Sequence, residues 1–284
     1  MSSKVSFSIA LIVFFWASSF VAIKVGLQDI TPINLTLVRF IISSIGLGLI
    51  ALIQRPKRIL KKDQFRFVLA AVFGVALYNI ALNYGQQTIS AGSASFLINT
   101  VPIFTTILSF LILKEKLILR TVIGIAISMV GVGLITLSES QEFNLNQGII
   151  LLLIASFSQA LFFIIQKPLL TRYSPLTVIS YSVWLGTLFL LPFSKDLFEV
   201  TNASRESKLA LLYLGIVVGA LGHVIWAYVL SQLSASKATS FLYFVPVVSV
   251  VLSFLLVKEI PSLLLITGGL VAITGVYIVN KRNQ

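Results

Sequence analysis

Polar side chains recur at helical spacing inside stretches of the chain that are otherwise apolar. Asn79 and Asn83 are four residues apart, so they share one face of a helix. Trp16 and Ser19 are three residues apart and do the same. A polar group in a membrane interior is costly unless it meets protein or water, so these side chains predict a central cavity that binds a substrate. The predicted lining residues are Trp16, Ser19, Asn79, Asn83, Asn99, Gln159, His223, Trp226 and Tyr243.

Three further residues predict control of access to such a cavity. Arg39 lies nearly two turns into the second apolar run, where its charge needs water or a partner. It could act as a gate or attract an anion, or it could simply reach the outer interface. Pro102 and Pro246 each remove a backbone hydrogen bond from a helix, which predicts matched bends that let the helices rock about a substrate.

The same polar residues also have a purely structural interpretation. Asn, Gln and Ser side chains hydrogen-bond between membrane helices without any ligand. Trp16, Trp226 and Tyr243 could fill a core or anchor the protein at the membrane interface. His223 is the one histidine of the chain, and it is either a packed core residue or a proton carrier, since histidine can change charge near neutral pH.

Composition predicts the elements that position these residues. Of the 284 residues, 57% are hydrophobic and only 11% are charged, about half the charged fraction of a soluble protein. The mean hydropathy is +1.02. A spanning helix needs about 20 apolar residues, and the apolar runs predict an all-α integral membrane protein with ten transmembrane helices. The runs are residues 5–26, 33–53, 67–86, 90–113, 118–137, 148–170, 175–193, 208–230, 236–257 and 262–280.

The charged residues sort by side if each run crosses the bilayer. One side then carries fifteen Lys and Arg residues, and the other carries four, together with seven of the nine acids. By the positive-inside rule, both termini are cytoplasmic and the chain is a multi-pass protein of the cell inner (plasma) membrane. The net charge of +12 thus indicates loop orientation, and no nucleic-acid partner is expected. Lys24 and Lys167, at the ends of two runs, are expected to extend to the membrane interface.

The chain contains an internal repeat. An offset of 144 residues aligns residues 101–115 with 245–259 without a gap, and eight of the fifteen positions are identical. The same offset pairs Asn79 with His223. Because each half holds five predicted helices, an odd number, the second half must enter the membrane in the opposite sense. Two inverted five-helix repeats provide the geometry of alternating access. The halves are residues 1–140 and 141–284.

Three segments carry a resemblance to a known family. They are WASSF at 16–20, LVRF at 37–40 and, above all, NIALNYGQQTISAGSASFLINTVPIFTTILSFLILKEKL at 79–117. Over nearly its whole length the chain resembles the EamA-like members of the drug/metabolite transporter superfamily. That resemblance implies a ten-helix exporter or exchanger of small metabolites. It also implies that helices 1 to 4 and 6 to 9 surround a central cavity, with helices 5 and 10 at the periphery.

Small residues form matched strips on the fifth and tenth runs. Such residues permit close approach of two membrane helices. We expect the strips to pack on each other within a monomer, and a homodimer interface is the alternative. The strips are Gly124, Ser128 and Gly131 in the first half and Gly268, Ala272 and Gly275 in the second.

The sequence indicates binding and passage rather than catalysis. No Asp or Glu lies within the ten runs, and there is no phosphate-binding glycine motif, metal-ligand cluster or nucleophile beside a base. We therefore predict a protein that is not an enzyme and needs no cofactor or metal. It is a secondary transporter of small organic metabolites, such as amino acids or related amphiphiles. The alternative is a flippase of a lipid-linked head group, which needs a lateral opening and a basic or hydroxyl-rich groove.

Overall fold

The computed structural model describes residues 3–113, 119–139, 146–193, 197–233, 238 and 241–280. Every regular element in that part of the chain is helical, including a short helix, Phe198–Asn202, that precedes α8. The main helices are α1 (Ser3–Gly26), α2 (Pro32–Gln54), α3 (Lys61–Thr88), α4 (Ala91–Ile98, continued by Val101–Leu113), α5 (Leu119–Glu139), α6 (Gln147–Leu169), α7 (Pro175–Leu190), α8 (Arg205–Gln232), α9 (Phe244–Val257) and α10 (Leu263–Asn280).

The helices have the length and surface of a multi-pass membrane protein. Within the described residues, seven are long and apolar enough to cross a bilayer, and α5, α9 and α10 contain shorter apolar stretches. The outer surface is also apolar: Leu52, Ile53 and Leu263 are 75%, 85% and 77% exposed. Such side chains are at low energy against hydrocarbon and at high energy against water. Helices suit this environment because they satisfy their own backbone hydrogen bonds.

Local sequence determines where several helices begin. Pro32 and Pro175 occupy the first turns of α2 and α7, where a backbone N–H has no partner within the helix. Four helices, α7 among them, begin after a residue whose side-chain oxygen accepts a hydrogen bond from a backbone N–H of the first turn. These capping residues are Ser90, Asn146, Ser174 and Ser204.

The two strips of small residues pack on each other within one chain, at the contact between α5 and α10. Ser128 Oγ donates a hydrogen bond to Ala272 O at 3.0 Å. A Cβ built on Gly131 would lie 2.6 Å from Gly268 O, and one on Gly275 would lie 2.5 Å from the backbone oxygen of Gly124. Each of these contacts joins one strip to its repeat mate, so the contact is nearly symmetric.

α3 and α8 each contain a π-helical stretch at a matched position. The stretches are Val72–Leu77 and Leu214–Gly222, and the 144-residue offset places the first within the second. π-helical turns are rare, and they are frequent at functional sites. His223 follows the second stretch directly, and its pair Asn79 follows the first stretch after one intervening residue, Tyr78.

The two predicted hinge prolines lie beside interruptions rather than inside continuous helices. α4 is interrupted at residues 99–100, and a 3-10 turn, Phe241–Tyr243, precedes α9. Pro102 and Pro246 are the second and third residues of the helical segments that follow. We expected each proline to remove a hydrogen bond. In the first turn of a helix no such bond exists to be lost, so the discontinuity belongs to the preceding turn.

Lys24 and Lys167 do not extend to the interface as expected. Each ammonium group instead donates to backbone carbonyls at the C-terminal end of another helix of the same half, α3 for Lys24 and α8 for Lys167. These carbonyls lack partners within the helix and carry partial negative charge. The acceptors are Gln86 O and Ile89 O, each at 3.2 Å, for Lys24, and Leu230 O and Leu233 O, at 2.6 and 2.7 Å, for Lys167.

Removing either ammonium group should destabilise the protein. Lys24→Met and Lys167→Met keep an unbranched side chain but leave the carbonyls unbonded, and a hydrogen bond to a charged group contributes about 1.5–3 kcal/mol. Since the two contacts are repeat mates, we expect similar reductions in melting temperature for the purified variants in detergent. Lys208→Met, at an exposed lysine, is the control. Melting temperatures equal to that of the control would contradict the capping role.

Candidate substrate-binding site

A cavity lies at the centre of the helix bundle. Its volume is about 50 Å³, which leaves room for a few water molecules in the shape that the structure shows. Residues of α1, α2, α3, α4, α6 and α8 line it, together with Leu242 of the 3-10 turn before α9 and Val245 of α9. α5 and α10 contribute none of the described lining residues, and neither does α7. The polar side chains of the lining are Ser19, Arg39, Tyr78, Asn79, Ser95, Asn99, Gln159 and His223.

The structure brings most of the predicted site residues together. The members of that set found in the cavity lining are Trp16, Ser19, Arg39, Asn79, Asn99, Pro102, Gln159 and His223. They come from both sequence halves and converge on one space. Polar residues at corresponding positions of two repeats predict such a convergence.

Four predicted residues are not among the described lining. Asn83 is fully buried and donates to Thr36 Oγ1 at 2.7 Å, so it joins α3 to α2. Trp226 lies behind the cavity wall, and Pro246 is buried within α9. The Tyr243 side chain lies outside the described part of the structure. Asn83 thus fits the structural interpretation, in which amides connect helices.

Asn79 and His223 are held by the π-helical stretches that precede them. Asn79 Nδ2 donates to Val75 O at 2.8 Å, and His223 Nδ1 lies 3.0 Å from Val218 O. Because a carbonyl can only accept, Nδ1 is the protonated nitrogen of the neutral imidazole in this contact. The orientation of the Asn79 amide follows in the same way, because only its nitrogen can donate to Val75 O. Its Oδ1 is therefore the other end of the amide, and it is buried without a partner.

Aromatic rings form one wall of the cavity. Trp16 stacks on Phe163 with ring centroids 6.4 Å apart and planes 7° apart. Trp226 packs behind both rings, with its centroid 5.0 Å from each. The His223 ring lies 6.4 Å from Trp16. This wall offers a broad apolar face, and its rings can also stabilise a cation.

Arg39 carries the one positive charge of the described cavity lining. Its side chain is 3% exposed, and its Nε and Nη1 atoms have no hydrogen-bond partner. The guanidinium carbon lies 5.2 Å from the centre of the Phe40 ring, a weak interaction beside a full charge. No described carboxylate lines the cavity, so none of the described residues there supplies a negative counter-charge.

Other cavity atoms share this lack of partners. The oxygens of Asn79 and Gln159 and the amide nitrogen of Asn99 are buried and unbonded. Ser19 and Ser95, by contrast, donate to backbone carbonyls of their own helices, at 2.7 and 2.6 Å. A buried polar group without a partner costs about 1–3 kcal/mol, so the amides and Arg39 are the groups that a ligand would satisfy.

Eleven residues of the described lining were not in the predicted set, among them Phe163 and Tyr78. Phe163 lies one turn after Gln159, so the helical spacing that selected Gln159 could have found it. Tyr78 lines the cavity beside Asn79. Its position gave no signal, because adjacent residues on a regular helix point in different directions and its repeat mate is Gly222.

Polar contacts join the two halves at one end of the bundle. The Asp29 carboxylate, after α1, accepts hydrogen bonds from the Ser204 hydroxyl, from Ser204 N at 3.1 Å and from the Ser207 hydroxyl at 2.7 Å. The Ser204 and Ser207 hydroxyls, followed by the Ser204 backbone, lower the pKa of Asp29 below its usual value. The contact therefore persists above that lowered pKa and is lost only as pH falls through it.

A second set of contacts joins the halves at the opposite end. Asp63, in the first turn of α3, accepts a hydrogen bond from Tyr173 OH at 2.9 Å and forms an ion pair with Arg172 at 2.7 Å. Lys57 N donates to Thr177 Oγ1 at 3.3 Å. Polar contacts between one half and the other are thus present at both ends of the bundle.

Comparison with known proteins matches the whole chain to one family. A sequence model described as the EamA-like transporter family matches residues 3–137 and again residues 146–281. An uncharacterized transporter of Bacillus subtilis, YdfC, is 36% identical, with 99% of this chain and 94% of that protein aligned. A probable terminal-alkyne amino-acid exporter of Streptantibioticus cattleyicolor is 32% identical over the same shares, 99% and 94%.

The chain is also similar to a further transporter and to a solved structure. A probable amino-acid metabolite efflux pump of Salmonella typhimurium is 30% identical, with 98% of this chain and 95% of that protein aligned. A solved crystal structure superposes with a TM-score of 0.69 at 15% identity, covering 98% of this chain and 96% of its own. At that identity the likeness concerns the fold alone.

Proposed function

Because the chain belongs to the EamA-like transporter family, we propose that it is a secondary transporter of small organic metabolites that works by alternating access. Ten helices cross the membrane as two inverted five-helix repeats, residues 1–140 and 141–284. The substrate binds in the central cavity, and each half moves relative to the other to expose that cavity to one side at a time.

The cavity carries this proposal. Residues of both halves line it, it lies within the bundle rather than on its surface, and it contains a buried cation and amides without partners. Buried polar groups in proteins generally have partners. Some described amides outside the cavity, such as those of Asn83 and Gln166, also have unbonded atoms, but Arg39 is the one cation among the described groups of this kind. A transporter needs a site that binds a polar solute and releases it again, which is a reason for leaving the polar groups of the cavity unsatisfied in the protein itself.

Matched contacts support the repeat. The Lys24 and Lys167 caps, the two π-helical stretches and the α5–α10 contact all recur at offsets of 143 or 144 residues. The family model also matches the chain twice. Five helices per half imply opposite insertion of the halves, and such inverted repeats commonly interconvert by rocking about a central site.

The charge distribution supports an orientation. With fifteen Lys and Arg residues on one side of the ten predicted runs and four on the other, both termini face the cytoplasm of a cell inner (plasma) membrane. The names of two relatives as amino-acid or metabolite exporters support amino acids as the substrate class. A lipid head-group flippase is less well supported, because the described lining offers one cation rather than a basic groove.

Counterflow in proteoliposomes tests the proposal. Vesicles containing purified protein and loaded with unlabelled L-leucine, L-phenylalanine or L-tryptophan should accumulate the same labelled amino acid faster than unloaded vesicles. Exchange of this kind requires a site that faces the two sides in turn. Uptake should saturate with concentration. If uptake matches that of protein-free vesicles for the amino acids and for a wider panel of organic metabolites, the protein is not such a transporter.

A further inference from the structure

We infer that the cavity binds a zwitterionic α-amino acid, with its carboxylate on Arg39 and its ammonium group on Asn79 Oδ1. This inference rests on the proposed function and goes further, because it names the charges of the substrate and the atoms that hold them. The side chain of the substrate packs against the wall formed by Trp16 and Phe163.

Arg39 has no counter-ion among the described residues that line the cavity. A guanidinium group stays charged at physiological pH, and an unpaired charge that is 3% exposed is energetically costly. The nine carboxylates of the sequence lie outside the ten predicted runs, and none is in the described lining. The unpartnered Nε–H and Nη1–H groups lie on different edges of the guanidinium plane, so each can donate a single hydrogen bond to an anionic oxygen.

The anion that pairs with Arg39 should carry a single negative charge. The described cavity offers a single cation. A phosphate group carries nearly two negative charges at neutral pH, so one arginine would leave it undercompensated in a largely apolar site. A monocarboxylate is neutralised by one guanidinium group, and the aromatic wall suits an organic body rather than an inorganic ion.

The unbonded oxygen of Asn79 requires a hydrogen-bond donor on the ligand. Because Asn79 Nδ2 donates to Val75 O, Oδ1 is the end of the amide that is free for a ligand. An amide oxygen needs a donor, which a simple carboxylate lacks. An ammonium group supplies three, and the Trp16 ring in the same lining can stabilise its charge. A zwitterion therefore satisfies both Arg39 and Asn79, and it enters the site without net charge.

Matched probes can test this assignment by their binding to purified protein. The probes are L-leucine, L-phenylalanine and L-tryptophan, each compared with its amide, which lacks the carboxylate, and with its deaminated acid, which lacks the ammonium group. Binding is measured by isothermal titration and by the shift in melting temperature. At least one amino acid should bind wild-type protein, and both of its analogues should bind at least tenfold more weakly.

Variants of Arg39 separate a binding role from a structural one. Arg39→Gln should abolish binding, and Arg39→Lys should weaken it at least tenfold, because an ammonium group is a point charge without a fork. Arg39→Gln should also raise the melting temperature of the ligand-free protein, since it removes an unpaired buried charge. Arg205→Gln, at an exposed arginine, should change neither quantity.

Three results would overturn the assignment. They are undiminished amino-acid binding by Arg39→Gln, an amide that binds as tightly as its parent amino acid, and no binding of any of the three amino acids at millimolar concentration. If counterflow of another metabolite succeeds in that last case, the transporter function stands and only the zwitterion site fails. If counterflow fails for every solute while an amino acid still binds through Arg39, the zwitterion site stands and the transporter function fails.

Discussion

Covalent linkage of the two halves at either end of the bundle is expected to reduce transport to the level of empty vesicles. The natural sequence has no cysteine, so introduced pairs are the only thiols. Asp29→Cys with Ser204→Cys spans the first end, and Lys57→Cys with Thr177→Cys spans the second. Each pair replaces residues that are hydrogen-bonded across the halves in the structure.

The expectation follows from the proposed alternating access, in which the halves separate at one end while they meet at the other. A short bifunctional thiosulfonate fixes one end closed, so the cavity can open only to the opposite side and no cycle is completed. Loss of transport should therefore be complete for the cross-linked fraction, whichever end is joined. Reduction of the cross-link should restore transport to the rate of the untreated double variant.

Single-cysteine variants treated with the same reagent are the controls, because they carry the modification without the linkage. Their transport should stay close to the untreated rate. Full transport by protein that gel analysis shows to be cross-linked at both pairs would exclude relative movement of the halves at these ends. Loss of transport after linkage at one end only would indicate that just that end opens.

The helices and the family were predictable because they depend on properties summed over many residues. A run of about 20 apolar residues is a strong signal for a membrane helix, and seven of the ten predicted runs coincide with long apolar helices in the structure. The resemblance to the EamA-like transporters is confirmed by the match over residues 3–137 and 146–281. The direction of the repeats stays a prediction.

Individual polar residues were harder to assign because their roles depend on which helix lies opposite. Asn79 and Asn83 share a face of α3, yet Asn79 reaches the cavity and Asn83 meets Thr36 of α2. Helical periodicity predicts the face, not the depth at which a neighbouring helix closes the gap. Lys24 looked like an interfacial side chain for the same reason, since the end of α3 that binds it is 62 residues away in sequence.

The π-helical stretches had no sequence signal at all. VFGVAL at 72–77 and LGIVVGALG at 214–222 read as ordinary apolar helix. Both stretches pack closely on other helices at a glycine: a Cβ on Gly74 would clash with the Phe162 ring, and one on Gly215 would lie 2.7 Å from Ile42. Close packing on neighbouring helices at these glycines cannot be derived from one segment alone.

Gly131→Val and Gly275→Val are each expected to destabilise the protein strongly. A Cβ at either position meets backbone atoms of the opposing helix, 2.7 Å from Ala272 Cα for Gly131 and 2.5 Å from Gly124 O for Gly275. Backbone cannot rotate away as a side chain can, so α5 and α10 must move apart. Overpacking of this kind costs about 1–3 kcal/mol, and two added methyl groups beyond Cβ favour the upper end. Melting temperatures of purified protein in detergent measure the loss.

The two glycines should also behave as one site. Separation of α5 and α10 by the first valine makes room for the second, so the double variant should lose less stability than the two single losses added together. Gly48→Val is the matched control, because a Cβ there would have no neighbour within 4 Å. Valine also has a higher helix propensity than glycine, so this substitution should not destabilise the helix. If Gly131→Val and Gly275→Val melt at the temperature of Gly48→Val, the close contact between α5 and α10 does not exist in the membrane protein.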